Sequence, residues 1–165
     1  MRRAPRILAA LVAVMIGIAV VAMPATAVDS KATFRGAVQG RAKGGAADCY
    51  TVVRSDGRAR FMTLNAFRVG RVQYSMQAGF FGASNAAGRH DLVDDAPPGV
   101  SVLLVRSKDG RQWASARGRV TLSDDGRTAR LRATLAPAVP ARGPKAKVSA
   151  VIACETVDDL PDPGA

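Results

Sequence analysis

The residues with the widest chemical range in this 165-residue chain surround its single histidine. His90 stands in the run RHDLVDD, close to Asp91, Asp94 and Asp95. An imidazole beside carboxylates can bind a metal ion or act in acid–base catalysis. Such a run is more often a solvated polar loop. An enzyme that uses the His90 loop is therefore the third interpretation of this chain, behind two kinds of binding protein.

Other motifs of catalysis and cofactor binding are absent from the sequence. There is no nucleophile elbow, no phosphate-binding loop and no dinucleotide-binding glycine motif. Two cysteines with one distant histidine lack the spacing of a metal site. The sequence thus predicts a protein that is not an enzyme, with no catalytic residue, no metal and no cofactor.

The first 27 residues have the three parts of a secretory signal peptide. Three arginines in MRRAPR precede an apolar run over residues 7–23, and Ala25-Thr26-Ala27 is a cleavage site of small residues. We expect cleavage after Ala27 and a secreted or cell-envelope location, without a transmembrane span. The alternative is an uncleaved anchor at residues 7–23.

Cys49 and Cys154 are the only cysteines. An even number of cysteines in an exported chain predicts a disulfide bond. Cys154 shares one side of an alternating strand with Val148, Ala150 and Ile152, so its side chain is expected to point inward. This placement favours a structural cross-link over a reactive thiol.

The rest of the chain has the pattern of strands, and no segment after residue 30 is a convincing helix. Alternating runs are separated by turn signals, among them the Asp-Gly pairs at 56–57, 109–110 and 125–126. The candidate strands are roughly 33–39, 48–55, 60–68, 71–81, 99–107, 112–122, 128–136 and 146–155.

Such a series predicts an all-β protein, an antiparallel β-sandwich of about eight strands with one disulfide. A closed β-barrel is the alternative. We expect a single domain over residues 28–156, with a long irregular loop at 82–99, followed by a flexible acidic tail at 157–165.

Positive charge dominates the chain, whose formal net charge is +11. Removal of residues 1–27 takes away three arginines and leaves +8. This charge favours an acidic partner: an acidic envelope polymer, an anionic lipid or an acidic protein. A nucleic acid is not expected, because aromatic residues are too few for base stacking. An arginine-rich composition, as from a GC-rich genome, is the alternative explanation of the charge.

Two hairpins place arginines together on one side of the sheet. With a turn at Asp125-Gly126, Arg119 stands opposite Arg132, and Arg130 opposite Thr121. With a turn at Asp109-Gly110, Arg106 stands opposite Trp113. The expected partner-binding surface is an exposed tryptophan ringed by arginines, made of Trp113, Arg106, Arg117, Arg119, Arg130 and Arg132. The alternative is a bulge at Gly118 that turns Trp113 into the core.

Residues 118–135, GRVTLSDDGRTARLRATL, followed by the final strand VSAVIAC, resemble small exported actinobacterial antigens of the LpqH lipoprotein type. The resemblance implies a compact all-β envelope or secreted protein whose late cysteine pairs with an earlier one. It implies no known chemistry and no functional residue. The chain lacks the lipobox cysteine of that family, so a lipid anchor is not implied.

The leading functional prediction is a secreted or envelope protein that binds an acidic partner. The second is a β-barrel that carries a small apolar ligand in a cavity lined by Tyr74, Met76 and their neighbours.

Overall fold

The structure, a computed structural model, describes residues 29–54, 57–92, 99–138 and 142–161. The predicted signal peptide lies outside these ranges, as do Asp94 and Asp95. The strands are β1 (Ser30–Gly36), β2 (Gly40–Gly44), β3 (Asp48–Arg54), β4 (Gly57–Val69), β5 (Val72–Phe81), β6 (Gly88–Asp91), β7 (Val100–Arg106), β8 (Gln112–Leu122), β9 (Thr128–Pro137), β10 (Ala146–Ala153) and β11 (Asp158–Leu160). A single turn of 3-10 helix spans Gly82–Asn85. None of the helical structure in the described ranges is long and apolar enough to cross a membrane.

All the strands belong to one sheet, which confirms the all-β prediction. Its order is β11-β3-β4-β5-β7-β8-β9-β10-β1-β2, and β6 pairs with β8 beside this path. The pairing is antiparallel except for β11, which runs parallel to β3. The sheet curls into a half-barrel with one side turned inward.

The eight predicted strands are all present, and three short ones were not predicted. Strand β6 occupies part of the segment that was expected to be an irregular loop at 82–99, and β11 lies in the tail that was expected to be flexible. Strand β2 has one buried side chain, Ala42, and β11 has none. Because these strands are short and bury at most one side chain each, periodicity gave no usable signal for them.

The core fills the inner side of the curl. Strand β5 alternates as its sequence predicts, with Tyr74, Met76 and Phe80 buried among side chains from the other strands. Phe34, Phe67 and Tyr74 stack in a row, with ring centroids 5.6 and 6.0 Å apart. Burial of each such side chain contributes about 1.5–3 kcal/mol. Tyr74 and Met76, expected to line a ligand cavity in a barrel, are packed into this core, 5% and 1% exposed.

The predicted disulfide is confirmed and joins distant parts of the sheet. Cys49 and Cys154 are bonded, with their Cα atoms 5.9 Å apart. Cys49 belongs to β3, and Cys154 directly follows β10. Beside the disulfide, the amide of Ala47 donates to the carbonyl of Ala153 at 2.7 Å. The two links hold together segments that five strands separate in the sheet order.

A bulge in β8 decides which side chains point inward. The register of β8 against β9 shifts between Ser115 and Arg117. The buried residues of β8 are therefore odd-numbered before the bulge, at Trp113 and Ser115, and even-numbered after it, at Val120 and Leu122. A strand without the bulge keeps one parity along its length, which is why sequence reasoning placed Trp113 on the outer side.

The two predicted hairpin registers have different outcomes. At Asp125-Gly126 the register is confirmed, with Arg119 opposite Arg132. At Asp109-Gly110 it is wrong by two residues, because Leu104 and not Arg106 stands opposite Trp113. The innermost backbone hydrogen bonds, from Ser123 to Thr128 and from Arg106 to Arg111, each enclose four residues. The glycine is the third of these residues at Asp125-Gly126 and the fourth at Asp109-Gly110, so the two registers differ.

Candidate functional site

Trp113 is buried, contrary to the prediction of an exposed ring. Its side chain is 2% exposed, and its indole N–H donates to the carbonyl oxygen of Pro144 at 3.3 Å. The guanidinium carbons of Arg106 and Arg111 lie 5.8 and 5.9 Å from the ring centroid. The alternative, in which a bulge turns the ring into the core, gives the observed burial, although the bulge lies between Ser115 and Arg117 and not at Gly118.

Arg106 lies apart from the other predicted site arginines. It shares the inner parity of β7 with Val102 and Leu104, at the end of the strand next to Trp113. Its Nε donates to a carboxylate oxygen of Asp109 at 2.8 Å. This hydrogen bond lowers the pKa of Asp109 to about 2. Arg106 is therefore engaged by the loop that follows it and by the tryptophan ring.

The other four arginines come together on the outer side, as predicted. Arg117 and Arg119 project from β8 on either side of the half-buried Gly118, and Arg130 and Arg132 project from β9 on either side of buried Leu131. Arg119 stands directly opposite Arg132. All four side chains are exposed.

The structure extends this cationic surface across β10 and β1, which sequence reasoning missed. In register beyond Arg132 come Ser149 of β10 and Thr33 of β1. Lysines and arginines alternate with these hydroxyl residues and are exposed. We define the basic face as the outward side chains of β8, β9, β10 and β1 that are cationic: Lys31, Arg35, Arg117, Arg119, Arg130, Arg132 and Lys147.

A trough runs through the basic face. Two adjoining depressions of about 480 and 450 Å³ share Thr33, Arg132 and Ser149 in their walls. We call the short side chains of Ser149 and Val151 on β10 and of Thr33 on β1 the floor of the trough. Longer cationic side chains surround them, from β9 on one side and from Lys31 and Arg35 along β1 on the other. All seven cations of the basic face line one depression or the other, and among the described residues no carboxylate lines either.

Like charges oppose each other across the ladders of this face. Arg35 stands opposite Lys147, and Arg119 opposite Arg132. At the adjoining edge Lys31 stands opposite Lys43 of β2. Within the described ranges none of the seven cations forms an ion pair, although Asp91 of β6 stands opposite Arg119 in register. Such pairs cost stability, so the fold gains nothing from them.

The chemistry available in the trough is the binding of oxyanions. Each guanidinium presents a planar fork of N–H donors that matches the two oxygens of a carboxylate, phosphate or sulfate. The hydroxyls of Thr33, Thr134 and Ser149 add neutral donors between the charged ones. The combination offers an anion both charge and hydrogen bonds.

Among the described residues, the side chain of His90 forms a hydrogen bond with the backbone and not with a carboxylate. Its Nε2 donates to the carbonyl oxygen of Ala86 at 2.8 Å. Asp91 is the next residue of the same strand and points to the opposite side. In the part of the chain that the structure describes, no group of three or more histidines, cysteines and acidic residues is placed to hold a metal ion. Asp94 and Asp95, the other members of the motif, lie outside that part.

The resemblance to antigens of the LpqH type stays a prediction. Comparison of this chain with models of known protein families, with curated proteins and with solved structures finds no match.

Proposed function

We propose that this protein is a secreted or cell-envelope binding protein, not an enzyme, that holds an acidic partner on its basic face. The observation that carries the proposal is the opposition of like charges there. Arg119 faces Arg132 and Arg35 faces Lys147, in a sheet whose stability would be better served by neutral polar residues at these positions. The opposed cations destabilise the fold, and no contact among the described residues compensates for them. Such an arrangement is expected where the cations are kept for binding.

The distribution of charge supports binding over the composition alternative. An arginine-rich composition by itself would spread cations over all outward strand positions. The outer side of β4, β5 and β7 instead has uncharged rows in register, namely Thr63, Gln77 and Leu103, then Phe61, Gly79 and Ser101. Strand β4 also bears the exposed cations Arg58 and Arg68, so this half is not free of charge, but the seven cations of the basic face lie together on the other half. A concentrated field attracts an anionic partner from a distance and speeds association.

Charge reversal on β9 tests the proposal. The variant Arg130→Glu with Arg132→Glu removes two cations from the trough. Its matched control is Arg71→Glu with Lys108→Glu, which makes the same change in net charge at two exposed turns of the other half. The probes are linear polyphosphate and vesicles that contain phosphatidylglycerol, titrated at low and high salt.

We expect the β9 variant to lose affinity for the anionic probes by about tenfold or more, or about 1.4 kcal/mol. The control should stay within about threefold of the wild type, since long-range field effects alone are screened within about 10 Å at 0.1 M salt. Folding should not suffer, because the Arg132→Glu change places a carboxylate opposite Arg119. Equal losses in the two variants, or no loss in either, would contradict a localised site.

A further inference from the structure

We infer that the partner is a single extended chain of an acidic polymer without bases, which lies along β10 in the trough. The inference rests on the proposed function and makes it more specific. Its basis is the arrangement of the floor and the cations rather than the net charge of the surface.

At Ser149 and Val151 the trough has cations on both sides of an uncharged floor, and Lys147 is the next outward residue along β10. Strand β10 supplies Ser149 and Val151, and its two neighbours β9 and β1 stand about 10 Å apart across it. Arg130 and Arg132 line one side, and Lys31 and Arg35 line the other. A single polymer chain fits that width. Its anionic groups can meet cations on either side while its backbone contacts the hydroxyls of the floor.

Along β8 and β9 the cations stand at alternate positions, whereas on β1 Lys31 and Arg35 are four residues apart with Thr33 between them. Alternate residues of an antiparallel strand lie about 6.8 Å apart, which is the spacing between Arg130 and Arg132 and between Arg117 and Arg119. A polymer with one charge in each repeat unit presents its charges in a similar linear series. Several weak contacts in series then add up, and no single contact has to be strong.

A flat anionic membrane fits this surface less well. The basic face is on the outer side of a curled sheet and is therefore convex. A plane laid on it would touch the tips of long arginine and lysine side chains. It would not reach Thr33 and Ser149 between them. The hydroxyls of the floor have a role only if the partner enters the trough.

Single-stranded nucleic acid is also disfavoured. Proteins that bind it stack its bases on aromatic side chains. The described residues that form the walls and floor of both depressions include no aromatic side chain. A polymer of anionic units without bases needs no aromatic side chain, and its charges can contact the cations of this trough.

The test fills the trough without a change of charge. Ser149→Phe places a ring on the floor at an exposed strand position. Gln73→Phe makes a comparable change at an exposed position of β5 in the other half of the sheet and serves as the control. Binding of size-fractionated linear polyphosphate, phosphatidylglycerol vesicles and oligothymidylate is measured for both variants, with thermal unfolding as the check on folding.

We expect Ser149→Phe to weaken polyphosphate binding by about tenfold, with vesicle binding within about twofold of the wild type. If Ser149→Phe binds polyphosphate like the wild type while the β9 charge reversal does not bind it, the inference is wrong and the proposed function stands. If neither change affects any probe, both are wrong. Oligothymidylate that binds as tightly as polyphosphate, and is lost with Ser149→Phe, would make the partner a nucleic acid and overturn the inference.

Discussion

Trp113 was predicted to be exposed and is buried. Its surroundings explain why a tryptophan beside arginines was taken for a binding residue. The ring is apolar and needs burial, yet the guanidinium carbons of two arginines lie 5.8 and 5.9 Å from its centroid. A guanidinium near an aromatic face is attracted by the ring, and the aliphatic part of its side chain covers apolar surface. Arg106 and Arg111 therefore complete the edge of the core. An arginine beside a tryptophan in sequence or register does not distinguish this role from an interaction surface.

Replacement of Trp113 by alanine should separate the two roles. We expect Trp113→Ala to lower the free energy of unfolding by about 3–5 kcal/mol, as for other buried tryptophans. Affinity of the folded protein for polyphosphate should be unchanged, because the ring lies on the inner side of the sheet. Denaturant unfolding and titration under native conditions measure the two quantities.

Trp113→Phe is the control for this prediction, since it keeps an apolar ring and should cost less stability. If Trp113→Ala unfolds like the wild type but no longer binds polyphosphate, the prediction is wrong and Trp113 belongs to the binding site.

The cations of the site were only partly predictable at the level of residues. The arginines of β8 and β9 were found because one tight hairpin joins these strands, so local numbering sets their register. Lys31, Arg35 and Lys147 were missed because β1 and β10 are more than a hundred residues apart in the chain. No local rule pairs such distant segments, and the trough between them exists only after they pair.

At the scale of elements, β8 links the core to the basic face. Before its bulge it contributes Trp113 and Ser115 to the interior, and after it Arg117 and Arg119 to the outer face. Ser115 helps at the transition, where its hydroxyl accepts a hydrogen bond from the amide of Val102 at 3.1 Å. Gly118 follows the bulge with a φ of 145° and directly faces Ala133.

Gly118 should not tolerate a side chain. An added Cβ would lie 2.3 Å from the carbonyl oxygen of Arg132 and 2.7 Å from the Cα of Ala133, so β8 and β9 would have to separate. We expect Gly118→Ala to destabilise the fold by about 1–3 kcal/mol, the cost of a strained backbone, and to weaken polyphosphate binding. Unfolding and binding titrations are again the measurements.

The matched control is Gly110→Ala. Gly110 has a φ of 67°, but an added Cβ there has no atom within 4 Å. We expect Gly110→Ala to lower the free energy of unfolding by about 1–2 kcal/mol, because alanine is strained in the left-handed conformation, and to leave polyphosphate binding unchanged. If both variants bind polyphosphate like the wild type, the close approach of β8 and β9 at Gly118 does not shape the site.

Much of the strand layout followed from the sequence, and the exceptions have physical causes. Long alternating strands such as β5 bury one side in the core, so their periodicity is strong. Strand β6 is four residues long and contains no buried side chain, so it has no such signal. A bulge in β8 was weighed only as an alternative, and at Gly118 rather than between Ser115 and Arg117, because a single extra residue leaves no pattern that polarity alone can locate.

At the scale of the whole molecule, the curl of the sheet must be held against its tendency to open. Arg60 of β4 donates to the carbonyl of Gly126 in the β8–β9 loop at 3.2 Å, which connects the two halves at one end. The disulfide connects β3 to the end of β10. These links hold the inner side of the curl closed over the core, and the outer side that bears the trough keeps its curvature.

Loss of the disulfide should therefore reduce the stability of the whole fold more than it changes the site. The bond closes a separation of 105 residues. For a loop of that length the loss of unfolded-state entropy amounts to about 4–5 kcal/mol, and measured losses for native disulfides are about 2–5 kcal/mol. We expect Cys154→Ala to lower the free energy of unfolding by about 2–5 kcal/mol.

The double variant Cys49→Ala with Cys154→Ala is the matched control, because it leaves no free thiol that could react or pair wrongly. It should lose the same stability as the single variant, and reduction of the wild type should bring its unfolding midpoint to that of the double variant. Ser149 should still present the floor of the trough, since backbone ladders to β9 and β1 hold β10 on both sides. Polyphosphate affinity of the folded double variant should thus match that of the wild type. An unfolding midpoint that does not move on reduction would show that the ladders alone close the curl.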